Sequence, residues 1–178
     1  VKHALVVGGT GMLADVSIWL VNNGYKVSVI GRRKERMMQL ISRGTGKLRP
    51  LVVDYNDKEK LKEELDDTVN NNGRFSLVVA WIHPEVSALN SLLHLLCCEK
   101  NWTLIHVLSS QVNMEIIQNS ILLPGDCYYQ QVQLGFKIEN QTSRWLTHQE
   151  IVAGVIQSIY SSQKKSIVGT ISPEEFRP

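Results

Sequence analysis

The stretch Val6-Val7-Gly8-Gly9-Thr10-Gly11-Met12-Leu13-Ala14-Asp15 decides how the rest of the chain is read. A short apolar run, Ala4 to Val7, feeds directly into three glycines, and a helical pattern from about Met12 to Asn23 follows. A glycine cluster carries chemical meaning when a strand precedes it and a helix follows. Gly8 permits a tight turn, Gly11 lets the backbone approach a pyrophosphate closely, and the small Ala14 lets the helix pack on the strand. Amides at the helix start then face the phosphates, with the helix dipole favouring their charge. No Gly-Lys-Ser/Thr follows, so the turn is not a nucleoside-triphosphate loop. The alternative at this point is a glycine turn that holds no ligand.

Working outward, apolar runs and helical patterns alternate. Strands are predicted at Val27 to Ile30, Leu51 to Val53, Ser76 to Ala80 and Thr103 to Leu108. Helices are predicted at Lys34 to Ser42, at Lys58 to Val69, and from Pro84 with Leu89, Leu92, Leu93 and Leu96 on one face. Proline suits a first helical position, and Asn70 to Gly73 reads as a helix end. Gln111 to Cys127, which includes a Pro124-Gly125-Asp126 turn, leaves room for two or three helical turns around Met114 to Ser120. Tyr128 to Ile138 reads as one extended run, the stretch from Arg144 to Glu150 as the start of the last helix, and Ile167 to Ile171 as a final edge strand. Thr147 and Glu150 have the spacing of a capping box. The expectation is an α/β fold, a doubly wound Rossmann-type domain over residues 1–178, with about seven mainly parallel strands and helices on both faces.

Composition narrows the function classes. The chain has 178 residues, 43% hydrophobic and 20% charged, which suits one globular domain with a buried core. A net charge of +2 gives no argument for nucleic acid or a membrane surface, and no apolar run approaches the ~20 residues that cross a bilayer. Val1 to Val7 enter a strand-like run directly, so no leader peptide and a cytoplasmic setting are expected. Cys97, Cys98 and Cys127 fit neither an ordinary disulfide nor a zinc pattern and read as reduced. The five histidines show no metal-ligand spacing.

The second strand ends in Ile30-Gly31-Arg32-Arg33, where dinucleotide folds usually place an acid that binds ribose hydroxyls. Two guanidinium groups suit a 2′-phosphate instead, and an acid would repel one. NADP(H) is therefore the expected cofactor, with NAD(H) second. Otherwise Arg32, Arg33, Lys34 and Arg36 form a solvated helix start.

With these motifs the chain resembles the short-chain dehydrogenases/reductases, and the resemblance covers most of its length. The Gly-x-x-Gly-x-x-Ala spacing is similar to the extended and atypical branches. The resemblance implies a cofactor cradle from Gly8, Gly9, Thr10, Gly11, Met12 and Leu13. Asp54 would meet the adenine amino group, with Tyr55 beside it, although Asp57 fits the role of helix cap. Ala80 and Trp81 would line the cleft where the family carries Asn-Asn-Ala-Gly. Ser110, after Val107-Leu108-Ser109, would hydrogen-bond a substrate carbonyl; strand-end serines are also common turn formers. The resemblance further implies a small-molecule substrate and a homodimer.

The family's proton relay, Tyr-x-x-x-Lys, is absent from the expected place. Tyr128 and Tyr129 are followed four positions later by Val132 and Gln133. Tyr160 and Lys164 have the spacing but lie at the end of the last helix. Two functions stay open: an atypical oxidoreductase using Ser110, His83 or Tyr129, or a non-catalytic dinucleotide-binding sensor. A Rossmann domain that has lost its ligand is the third.

Overall fold

A computed structural model describes residues 1–82, 86–97 and 99–178. Seven strands form one parallel sheet: β1 (His3–Val7), β2 (Lys26–Gly31), β3 (Leu48–Val52), β4 (Phe75–Ala80), β5 (Trp102–Leu108), β6 (Cys127–Leu134) and β9 (Lys165–Val168). The spatial order is β3-β2-β1-β4-β5-β6-β9, so the chain reverses direction of winding between β1 and β4. In open α/β sheets ligands lodge at this switch point, outside the carboxyl ends of the strands.

The strands are apolar because both faces are covered. On one face α1 (Ala14–Asn22), α2 (Lys34–Arg43) and α6 (His148–Tyr160) seal a core containing Val6, Val29, Leu20, Met37 and Val155. On the other, α3 (Lys58–Asn72), α4 (Val86–Leu95) and α5 (Met114–Ser120) cover Leu5, Val78, Leu104 and Trp102 with Leu61, Leu89 and Leu92. Alternate residues of each strand go to opposite cores, as a two-sided parallel sheet requires. The fold class is therefore the one read from the sequence.

Several boundaries depart from the sequence reading, the final edge strand among them, which is Lys165–Val168 rather than Ile167 to Ile171. β3 starts at Leu48, with Pro50 inside it, which is tolerated because β3 is an edge strand. The extended run after Cys127 breaks at Gly135, where a Cβ would lie 2.1 Å from the Thr170 carbonyl oxygen. Beyond it, β7 (Phe136–Glu139) and β8 (Thr142–Trp145) form a separate antiparallel hairpin, turned by Asn140 and Gln141 at φ 51° and 64°. The last helix accordingly starts at His148 rather than at Arg144. Its capping box is present: Thr147 Oγ1 accepts from the Glu150 amide, and the Glu150 carboxylate accepts from the Thr147 amide. His83, Pro84 and Cys98 lie outside the described residues. Among the described residues neither Cys97 nor Cys127 stands in a disulfide, and burial pushes the Cys127 thiol up to about 12. Among the described residues no helix is long and apolar enough to cross a membrane.

Candidate functional site

The glycine turn sits at the switch point. Gly8 takes φ +84°, and the turn closes through Gly11 N–H to Gly8 O at 3.3 Å and Ala14 N–H to Gly11 O at 3.1 Å. Among the described residues no hydrogen bond uses the amides of Thr10, Met12 or Leu13. They are the free donors that a helix start leaves over, at the positive end of α1.

The glycines differ in what requires them. A Cβ on Gly9 would stand 2.7 Å from Val29 Cγ1 and 2.9 Å from Ser17 Oγ, so helix-to-sheet packing demands a glycine there. Gly11 has neither a positive φ nor a close neighbour; the nearest atoms to its missing Cβ are Arg36 Nη1 at 3.9 Å and Gly8 O at 4.0 Å. The space over Gly11 is thus left open by the protein itself. Open backbone beside free amides fits the diphosphate of a dinucleotide.

A cavity of about 360 Å³ extends from this turn. Gly8, Thr10, Gly11, Met12, Arg32, Arg33, Tyr55 and Trp81 line it, as do Ile30, Gly31 and Arg36. Gly9, Leu13 and Ala80 are buried and do not line it. Asp54 is not among the lining residues. Its Oδ1 accepts from the backbone and side-chain amides of Asn56, and its Oδ2 lies 3.8 Å from Arg32 Nη1. Asp57, not Asp54, caps α3, accepting from the Lys60 amide.

The electrostatics of α2 run against helix preference. Arg33 occupies its N-cap without a side-chain hydrogen bond, and Lys34 and Arg36 follow in the first turn, partly offset by Glu35. Cations at a helix N-terminus are unfavourable by the dipole. Among the described residues neither Arg33 nor Arg36 has an ion pair or side-chain hydrogen bond. An anion in the cavity would relieve this repulsion.

A second cavity, of about 300 Å³, lies on the β5 side and shares Met12 and Trp81 with the first. Ser109, Ser110, Leu134, Gly135, Trp145 and Leu146 also line it. The β7–β8 hairpin, which the periodicity hides, supplies its Trp145 wall. Ser110 is 8% exposed, and its carbonyl accepts from Arg177 Nη2 at 3.3 Å. Gln133 Nε2 donates to the carbonyls of Ser109, at 3.1 Å, and Val112, at 2.8 Å, which fixes the loop carrying Ser110.

Tyr129 does not reach this cavity. Its hydroxyl is 2.9 Å from His106 Nδ1 within the opposite core, and burial raises the phenol above its ordinary pKa. Burial also pushes His106 down to about 4. The helix after β5 has seven residues, none buried and none a tyrosine or lysine. The structure thus brings Ser110 to the second cavity and leaves Tyr128 and Tyr129 out of it.

No protein-family model matches the sequence, and no curated protein is similar to it. Solved structures do match. A short-chain dehydrogenase from Streptomyces avermitilis is 13% identical with a TM-score of 0.70, over 96% of this chain and 89% of that one. A β-ketoacyl-[ACP] reductase from Bacteroides thetaiotaomicron is 15% identical with a TM-score of 0.68, over 98% and 99%. An NAD+-bound xylitol dehydrogenase is 12% identical with a TM-score of 0.69, over 93% and 96%. The fold is that of the short-chain dehydrogenases/reductases. In this short-chain dehydrogenase fold, both cavities open at the carboxyl edge of the sheet, meeting at Met12 and Trp81.

Proposed function

We propose that the chain is a short-chain dehydrogenase/reductase that binds NADP(H) and acts as an oxidoreductase with an atypical active site. The observation that carries this reading is the open backbone over Gly11, flanked by free amides and faced by Arg36, which among the described residues has no ion pair. The amides of Thr10 and Met12, which line the cavity, hold the diphosphate, with Leu13 packed in the core behind them. Arg32 and Arg33 hold the 2′-phosphate, for which a planar fork of donors is suited. Tyr55 flanks the adenine, with Asp54 beside it facing Arg32, and Trp81 forms the wall beyond, with Ala80 buried behind it. Bound NADP(H) supplies the hydride chemistry.

The second cavity takes a small carbonyl substrate, which Ser110 orients through its hydroxyl. The proton comes from solvent, since Tyr129 is engaged with His106. A second reading, a dinucleotide-binding sensor without turnover, is favoured by the short α5 and its lack of the Tyr-x-x-x-Lys pair.

Fluorescence titration with NADPH and NADH tests the cofactor assignment. NADPH binds more tightly, and Arg32→Ala with Arg33→Ala erases the difference; equal affinities in the unaltered protein would defeat the preference. NADPH consumption against aldehydes, ketones and quinones separates the two functions. Turnover that falls in Ser110→Ala identifies the enzyme, whereas binding without turnover across the panel identifies the sensor.

A further inference from the structure

The geometry points to Arg36 as a clamp on the diphosphate itself, a role distinct from that of the 2′-phosphate pair Arg32 and Arg33. This inference rests on the dinucleotide reading above and extends it to a residue that the family motif does not contain. Met37 and Leu40 are buried and fix α2 against the sheet, with Met37 Cε 3.2 Å from the point a Cβ on Gly31 would occupy. Anchored in this way, the neighbouring Arg36 leans over the cleft rather than out along the helix. Its Nη1 is the atom closest to the empty position above Gly11, at 3.9 Å. The cavity therefore has amide donors on its floor and a guanidinium on the opposite side.

A phosphate oxygen takes charge-assisted hydrogen bonds of about 2.7–2.9 Å, so a phosphate over Gly11 lies within reach of both. Arg36 is exposed, and among the described residues it has neither an ion pair nor a side-chain hydrogen bond to hold it in place. Arg32, by contrast, is drawn toward Asp54 on the ribose side. The two functions separate along the helix start: Arg32 and Arg33 read the phosphate that distinguishes NADPH, while Arg36 reads the diphosphate common to both coenzymes.

Calorimetric titration of the unaltered protein, Arg36→Gln and Arg33→Gln with NADPH, NADH and ADP-ribose tests this assignment. ADP-ribose retains the diphosphate and lacks both the nicotinamide and the 2′-phosphate. Arg36→Gln weakens all three ligands by a common factor of about ten or more, the effect of removing one charged hydrogen bond. Arg33→Gln weakens NADPH alone. Loss confined to NADPH in Arg36→Gln would make Arg36 a third 2′-phosphate ligand and overturn the assignment. Unchanged affinities for all three would make it a solvated side chain and overturn it equally. In both of those cases the dinucleotide reading stands; an unaltered protein that binds none of the ligands overturns both. Because Arg36 is exposed, an unchanged melting temperature in Arg36→Gln separates lost binding from lost folding.

Discussion

The backbone oxygen of Trp81 lies 3.1 Å from the point that a side chain on Gly8 would occupy, so the ends of β1 and β4 touch at the cleft floor. Gly8 also takes φ +84°. Gly8→Ala therefore meets both backbone strain and a clash, and it destabilises the protein by about 1–3 kcal/mol while removing NADPH binding. Gly11→Ala meets neither. It leaves stability unchanged or raises it by about 0.4–1 kcal/mol, through a less flexible unfolded chain, yet weakens NADPH binding. Urea denaturation beside a titration measures both. Retained binding in Gly11→Ala would remove the case for a diphosphate over that residue.

Arg33 at the N-cap of α2 points to a second trade of stability for binding. Serine there would accept a backbone amide and remove a cation from the positive helix end. Arg33→Ser raises the stability of the ligand-free protein by about 1 kcal/mol and narrows the gap between NADPH and NADH. Thermal melts with and without each coenzyme read both effects.

Two buried imidazoles make the fold sensitive to acid. His106 is 2% exposed, and burial lowers its folded pKa to about 4, against about 6.5 when unfolded. The unfolded chain thus binds more protons between these values. This stability is fully present above pH 6.5 and falls by about 3 kcal/mol as the pH drops to 4. His3 acts in the same direction, lowered mainly by burial. Its Nδ1 lies 2.7 Å from Gly73 O and its Nε2 2.8 Å from Ser28 Oγ, which is 2.8 Å from Thr68 Oγ1. A carbonyl only accepts, so Nδ1 carries the proton and Ser28 donates to Nε2. A second proton would reverse that chain of hydroxyls. Denaturation at pH 7 and pH 4.5 checks the slope, and His106→Gln flattens it.

The hairpin and the last helix are tied at one carboxylate. Glu150 receives Arg144 at 3.0 Å and Lys137 at 2.8 Å, besides the Thr147 amide, and Arg144 above all holds its carboxyl well below the usual range. Thr147→Ala removes the reciprocal cap and costs about 1 kcal/mol, read as a lower denaturation midpoint.

The sheet through β5 was legible because strands buried on both faces are apolar throughout, and because the glycine cluster stands between a strand and a helix. The hairpin was not. Phe136-Lys137-Ile138 continues the alternation of β6, and its turn uses Asn140 and Gln141 without a glycine to mark it. Gln131 and Gln133 look like the outward half of that alternation but are 1% exposed. Their amides are spent on the carbonyls of Met114, Ser109 and Val112, contacts between segments far apart in sequence. Among the cleft residues, the glycine turn and Arg32–Arg33 follow from their positions after β1 and β2. Arg36 lies one helical turn beyond Arg32, a spacing visible in the sequence, but only the anchoring of α2 shows which way it leans.

Trp81 separates the two cavities while belonging to both. A molecule that runs from the glycine turn to Ser110 crosses the boundary that Met12 and Trp81 share between the cavities. With Trp19, Trp102 and Trp145 replaced by phenylalanine, quenching of the remaining Trp81 emission by a reduced nicotinamide bound as proposed would be an optical ruler for whether an occupant spans the whole cleft or stops halfway.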